Sequence, residues 1–74
     1  MRITLSGHAR KRMRERNVSV ADVRHVMSGR GRQHPSARKH TQSGRSPAGA
    51  RLEVVYTEPT TLHFHVVTVK LLDR

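Results

Sequence analysis

Large apolar side chains are missing from the middle of the sequence: no Leu, Ile, Val, Met, Phe or Tyr occurs between residues 29 and 50. Every large candidate core residue therefore lies in residues 1–28 or 51–72. A chain of 74 residues buries only a thin core. We therefore predict a single domain over residues 1–74, either marginally stable alone or completed by a partner.

The N-terminal third of the chain carries a helical pattern after a short extended start. Polar and apolar residues alternate over residues 2–5, which suits a short strand or an extended lead-in. Ser6 is a suitable N-cap for a first helix, and Asn17 is a typical helix stop. Ser19 then begins a second helix that ends at Gly29. The pattern predicts two short amphipathic helices.

The C-terminal part, residues 51–72, has the pattern of a β-hairpin. A first alternating strand is followed by Glu58-Pro59-Thr60 as the turn, and then by a strand rich in β-branched residues. Strict alternation along that second strand predicts two faces, with Leu62, Phe64, Val66 and Thr68 on one and His63, His65, Val67, Val69 and Leu71 on the other.

The middle segment, residues 30–50, allows two interpretations. Its Pro, Gly, Ser and Arg content is typical of a flexible basic loop, whereas residues 37–42 also suit a polar edge strand. The predicted fold class is α+β, with two N-terminal helices packed on a small antiparallel sheet of three to four strands.

Positive charge dominates the composition, with 15 Lys and Arg against five Asp and Glu and a formal net charge of +10. Most of these cations are Arg, whose planar guanidinium binds two phosphate oxygens at once. A polyanionic partner is therefore favoured. Nucleic acid fits best, an acidic protein second and an anionic membrane third.

Several classes of protein are excluded by what the sequence lacks. Without cysteine there is no thiolate metal site and no cysteine nucleophile, and an intracellular setting is favoured. No segment is apolar and long enough for a membrane span, so we expect a soluble protein of the cytoplasm. The spacings of a phosphate-binding loop, a nucleophile elbow and a catalytic carboxylate pair are also absent.

A basic segment over residues 8–16 holds the densest group of candidate functional residues. Helical spacing places His8, Arg12 and Arg16 in one line. One imidazole and two guanidiniums supply the proton transfer and the phosphate-stabilising charge that metal-independent RNA cleavage requires. A histidine in a first helical turn beside a solvated basic face explains the same pattern without catalysis.

Other residues suit supporting roles. His63 and His65 point the same way from one strand, which suits surface contacts, a second proton-transfer group or the start of a metal site. The spacing indicates no third ligand, so we expect no metal and no cofactor. The cations suited to hold an RNA backbone through phosphate contacts are Arg10, Lys11, Arg14, Lys39 and Arg51.

Three parts of the chain resemble a small bacterial family of domains of unknown function. They are the helical motif Ser6-x-His8-Ala9-x-x-Arg12-Met13-x-x-Arg16 with Val18-Ser19-x-x-Asp22-Val23, the strand Arg51-Leu52-Glu53-Val54-Val55-Tyr56, and the strand Val66-Val67-Thr68-Val69. That family is grouped with the barnase–EndoU–colicin–RelE fold, so the resemblance implies a RelE/barnase-like domain that cleaves RNA without a metal. It implies proton transfer by His8 and phosphate binding by Arg12 and Arg16. Thr68 would line the same cleft.

The resemblance favours an endoribonuclease that is the toxin of a toxin–antitoxin pair and is covered by an acidic antitoxin. Two alternatives remain open. One is a non-catalytic nucleic-acid-binding regulator associated with phage or ribosomes. The other is a basic interaction protein that docks on an acidic partner.

Overall fold

The α+β class is confirmed by the computed structural model, which describes residues 1–29 and 35–72. The elements follow in the order β1 (Arg2–Leu5), α1 (Gly7–Glu15), α2 (Val20–Ser28), β2 (Ser36–Arg45), β3 (Arg51–Thr60) and β4 (His63–Leu71). None of the helices in the described ranges is both long and apolar enough to cross a membrane.

Helix α1 begins and ends where the sequence predicts. The Ser6 side chain accepts a hydrogen bond from the backbone N–H of Ala9 at 3.0 Å, which caps the first turn. Asn17 adopts a positive φ of 55° and ends the helix. The backbone N–H of Val18 then donates to the Met13 carbonyl at 2.8 Å. Both side chains of that pair are buried, so the closing turn also contributes to the core.

Helix α2 is also capped as predicted and lies against the far strands of the sheet. Ser19 and Asp22 form a reciprocal capping box, and Gly29 ends the helix. Gly44 of β2 lets the helix approach closely, because a Cβ at that position would lie 3.2 Å from Cγ1 of Val26. Gly44 therefore allows a shorter distance between α2 and β2 than a larger residue would.

The sheet is mixed, which corrects the antiparallel sheet predicted from the sequence. The strand order is β1-β4-β3-β2, and β1 runs parallel to β4 while the other neighbours are antiparallel. A short turn in the sequence indicates that the two strands it joins are antiparallel, but β1 pairs with β4 at the other end of the chain. No local signal therefore gave its direction.

The middle of the chain contains a long strand, so the loop interpretation is wrong for this part of the segment. Strand β2 spans Ser36–Arg45 and extends beyond the predicted edge strand at both ends. Its backbone pairs with β3, and all of its residues except Ala37 and Gly44 have polar or charged side chains, which protects a sheet edge from further pairing. Residues 46–50 form the turn between β2 and β3, and residues 30–34 of the predicted loop lie outside the described residues.

A register shift in β4 changes the predicted faces of that strand. The pairing with β3 slips at Val67, which leaves one extra residue in β4. Val66 and Val69 are consequently buried on the same face. Thr68 moves to the opposite face, together with His65, although strict alternation predicted the reverse.

The hairpin turn lies later in the chain than predicted. Strand β3 continues to Thr60, so the turn is formed by Thr61 and Leu62 and not by residues 58–60. Leu62 has a positive φ of 60°. The buried carboxylate of Glu58 in β3 accepts a hydrogen bond from the Leu62 backbone N–H at 3.0 Å. Glu58 therefore stabilises the turn.

Both helices lie on one face of the sheet and form a single apolar core with it. This core consists of Ala9, Met13, Val18, Val23, Val26, Met27, Leu52, Val54, Tyr56, Phe64, Val66 and Val69. Strand β3 contributes alternate residues to the core, and β4 does so on either side of its extra residue Val67, so most of their remaining side chains point away from the helices.

Replacement of a buried helix residue tests this arrangement. Met27 is 1% exposed, and we expect Met27→Ala to lower the free energy of unfolding by about 2–5 kcal/mol, through lost contacts and a cavity. Val20, which is 43% exposed, provides the control, and Val20→Ala should change stability by less than about 0.5 kcal/mol. Urea unfolding followed by circular dichroism measures both. Equal effects would contradict the packing described here.

Candidate functional site

The sheet face turned away from α1 and α2, here termed the open face, carries most of the polar side chains of the strands. Ile3 and Leu5 pack towards the core, so the alternate residues of β1 belong to the open face. In the described part of the chain no helix covers it. Its residues, by strand register, are Arg2, Thr4, Thr41, Ser43, Arg45, Arg51, Glu53, Val55, Thr57, His63, His65, Thr68 and Lys70.

Two histidines of the open face share one hydroxyl group. The Oγ1 atom of Thr4 lies 3.0 Å from Nε2 of His63 and 2.8 Å from Nδ1 of His65. Both distances are those of hydrogen bonds. The parallel pairing of β1 with β4 creates this contact, because it places Thr4 directly beside His65. The two rings are therefore held together and half-buried, each with a second nitrogen not used by Thr4.

Arg2 adds a cation next to this imidazole pair. It pairs with His63 in the β1–β4 register, lies two residues before Thr4 and is exposed. A guanidinium at that position is suited to bind an anion that approaches the two rings. The arrangement thus combines two imidazoles with one fixed positive charge.

Positive charge continues along the open face towards its other end. Arg45 and Arg51 are directly paired in the β2–β3 register, and both are exposed. Lys70 lies nearer the centre, where its Nζ is 3.6 Å from a carboxylate oxygen of Glu53. A polyanionic chain lying across the face from Arg2 would meet cations at both ends.

Helix α1 carries His8 and Arg12, and Arg16 directly follows its last residue. His8 and Arg12 follow each other on one flank of α1, and the Arg12 guanidinium forms an exposed ion pair with Glu15 at 3.1 Å. The helix ends at Glu15, so Arg16 is its C-cap residue and lines a separate cavity of about 180 Å³ that Leu71 also borders.

The Thr68 side chain lies on the sheet face opposite α1, although Ser6 at the start of α1 contacts the β4 backbone just before Thr68. The Ser6 side chain donates to the Val67 carbonyl at 2.8 Å, and the Ser6 backbone N–H donates to the Val66 carbonyl at 2.9 Å. His8 is exposed and lies two residues after this anchor. The Thr68 side chain belongs to the open face, on the other side of the sheet.

The predicted phosphate-contacting cations lie on different surfaces. Arg10 and Arg14 border an apolar groove of about 300 Å³ between α1 and the start of α2. Lys11 is exposed on α1, and Lys39 is exposed on β2. Arg51 is the one residue of this predicted set that the strand register assigns to the open face.

Sequence reasoning did not select Arg2 or Thr4 as site residues. The alternation over residues 2–5 contained the signal that both point to one face, but it gave no partner strand. Among the described residues, no cluster of three or more His, Cys, Asp or Glu is arranged to hold a metal ion. The two imidazoles held by Thr4 and the neighbouring Arg2 are groups of the types suited to proton transfer and anion binding.

Comparison with known proteins finds a family for this chain. A model of the family DUF4258, a domain of unknown function, matches residues 5–70. This confirms the predicted membership of a small family of unknown function. No curated protein and no solved structure matches the chain.

Binding of an oligonucleotide tests which surface is the site. We expect a single-stranded DNA oligonucleotide, used as a polyanionic probe, to shift the NMR signals of Arg2, His63 and His65, because a cation and two imidazoles lie together there. Signals from the exposed side of α2, such as that of His25, serve as the internal control. Shifts confined to Arg12 and its neighbours on α1 would contradict an open-face site.

Proposed function

The chain belongs to the DUF4258 family, whose function is unknown, and from the geometry of its site we propose that it is an endoribonuclease that cleaves RNA at the open face without a metal ion. The observation that carries this proposal is the pair of imidazoles held by Thr4. Transfer of a phosphoryl group to a neighbouring 2′-hydroxyl needs one base and one acid on opposite sides of the phosphorus, and two histidines supply both.

The chemistry assigns a role to each group. One imidazole of the His63–His65 pair removes the proton of the 2′-hydroxyl, whose oxygen attacks the adjacent phosphorus. The other protonates the departing 5′-oxygen, so that the products are a 2′,3′-cyclic phosphate and a 5′-hydroxyl. Arg2 faces the negative charge that gathers on the phosphate oxygens during attack and stabilises it through charged hydrogen bonds.

The side chains available on the open face favour recognition of the RNA backbone over recognition of bases. The aromatic rings of Tyr56 and Phe64 are buried against the helices and provide no surface for stacking. Arg45 and Arg51 offer phosphate contacts at the far end of the face. We therefore expect single-stranded RNA to bind with weak sequence preference and strong dependence on salt.

Three parts of the sequence-based hypothesis belong to this proposal. Two helices on one face of a four-stranded sheet, with the other face open, support a RelE/barnase-like relationship. The roles predicted for His8, Arg12 and Arg16 remain predictions.

A toxin function with an acidic antitoxin is supported by the net charge of +10 and by the groove beside Arg10 and Arg14, which suits an acidic segment with an apolar anchor.

Cleavage of RNA in the presence of EDTA tests the activity. We expect His63→Ala and His65→Ala each to lower the cleavage rate about 10²- to 10⁴-fold, because each removes one proton-transfer group. His25 is exposed on α2, so His25→Ala should cleave like wild type. The rates are measured on a 5′-labelled single-stranded RNA under single-turnover conditions.

The same experiment separates the competing assignments. A loss in His8→Ala, with His63→Ala and His65→Ala unaffected, would transfer the chemistry to α1. Tight binding without cleavage by wild-type protein would favour the non-catalytic nucleic-acid-binding regulator. Failure to bind RNA at low salt would favour a basic protein that docks on an acidic partner.

The toxin hypothesis makes its own prediction. Expression of the wild-type chain should arrest bacterial growth, while His65→Ala should be tolerated at the same protein level because cleavage is lost. Growth curves with immunoblots for protein level provide the measurement, and His25→Ala is the matched control. Equal growth of cells expressing wild type and His65→Ala would contradict a toxin that acts through this site.

A further inference from the structure

We propose that the Thr4 hydroxyl joins His63 and His65 into one proton relay, so that the two rings change protonation together during catalysis. This inference rests on the proposed ribonuclease function and adds a positioning residue to it. The observation is the double contact of a single hydroxyl oxygen with two ring nitrogens, at 3.0 and 2.8 Å. Nothing in the sequence pattern pairs Thr4 with either histidine.

The single proton of the Thr4 hydroxyl fixes which ring nitrogens of His63 and His65 carry protons. A hydroxyl has one proton to donate, so Thr4 donates to one neutral imidazole and accepts from the other. When Nδ1–H of His65 donates to Thr4, the Thr4 hydroxyl donates to Nε2 of His63. The outer nitrogen of His65 is then bare, and the outer nitrogen of His63 carries a proton. One ring is therefore a base and the other an acid without any proton from solvent.

The reaction step balances within this chain of hydrogen bonds. Nε2 of His65 accepts the 2′-hydroxyl proton while the P–O2′ bond forms and the P–O5′ bond breaks. Nδ1 of His63 gives its proton to the departing 5′-oxygen. His65 passes its Nδ1 proton to Thr4, which passes its own proton to Nε2 of His63. Each ring gains and loses one proton, so the pair ends as neutral as it began.

The relay leaves the two rings in the reversed state, which suits a second reaction. The outer nitrogen of His63 is now bare and that of His65 is protonated. Water in the place of the departed 5′-oxygen gives a proton to His63 as its oxygen bonds to phosphorus. The P–O2′ bond breaks as the 2′-oxygen receives a proton from His65, which leaves a 3′-phosphate and a 2′-hydroxyl. We thus expect slow hydrolysis of nucleoside 2′,3′-cyclic phosphates, which returns the pair to its starting state.

Two substitutions of Thr4 separate the relay from its effect on the fold. Thr4→Val keeps the shape but removes the hydroxyl, and we expect it to slow RNA cleavage about 10- to 100-fold with little change in RNA affinity. Thr4→Ser restores the hydroxyl and should cleave within about threefold of wild type. Thermal unfolding and RNA affinity are measured for each. Equal cleavage by folded Thr4→Val and wild type would overturn the relay.

An NMR measurement tests the relay without any RNA. Because His65 uses Nδ1 and His63 uses Nε2, both neutral rings must carry their proton on the same-named nitrogen. Nitrogen-15 spectra of the imidazoles at high pH should show equal tautomer populations in the two rings, and Thr4→Val should make them independent. Unequal populations in wild type would overturn the relay. Equal populations in a protein that does not cleave RNA would support the relay and refute the proposed function.

Discussion

Helices α1 and α2 bury one face of the four-stranded sheet, and the rest of the molecule depends on this one-sided packing. The large apolar residues are few and lie at the two ends of the sequence, so they cover a single sheet face. Apart from the extra residue Val67 in β4, strands β3 and β4 alternate between this core and the other side of the sheet, which leaves a polar open face. Because the chain contains few large apolar residues, the second face of the sheet carries histidines and cations.

The position of β1 turns that open face into a candidate site. Ser6 fixes the start of α1 to the backbone of β4 through Val66 and Val67, and the preceding strand therefore runs parallel to β4. Thr4 then lies between two histidines of the neighbouring strand. Secondary structure, helix capping and the proposed chemistry are thus linked through one short N-terminal segment.

Local signals in the sequence were sufficient for the elements that depend on neighbouring residues. The caps at Ser6 and Ser19 and the stop at Asn17 follow from short-range hydrogen bonding, so sequence reasoning predicted both helices. Residues 37–42 gave a local signal for an edge strand, but the full length of β2 and the bulge at Val67 depend on pairing with β3, which no local pattern specifies. The histidine pair was recognised as sharing a face, but its hydroxyl partner is distant in the sequence.

A crystal structure with a bound 2′-deoxy dinucleotide tests the central claim most directly, because this ligand resembles the substrate but lacks the attacking hydroxyl. The account predicts a phosphate on the open face, with its oxygens within about 3.2 Å of ring nitrogens of His63 and His65 and of the Arg2 guanidinium. A phosphate bound instead beside His8 and Arg12 on α1, with the open face empty, would contradict it.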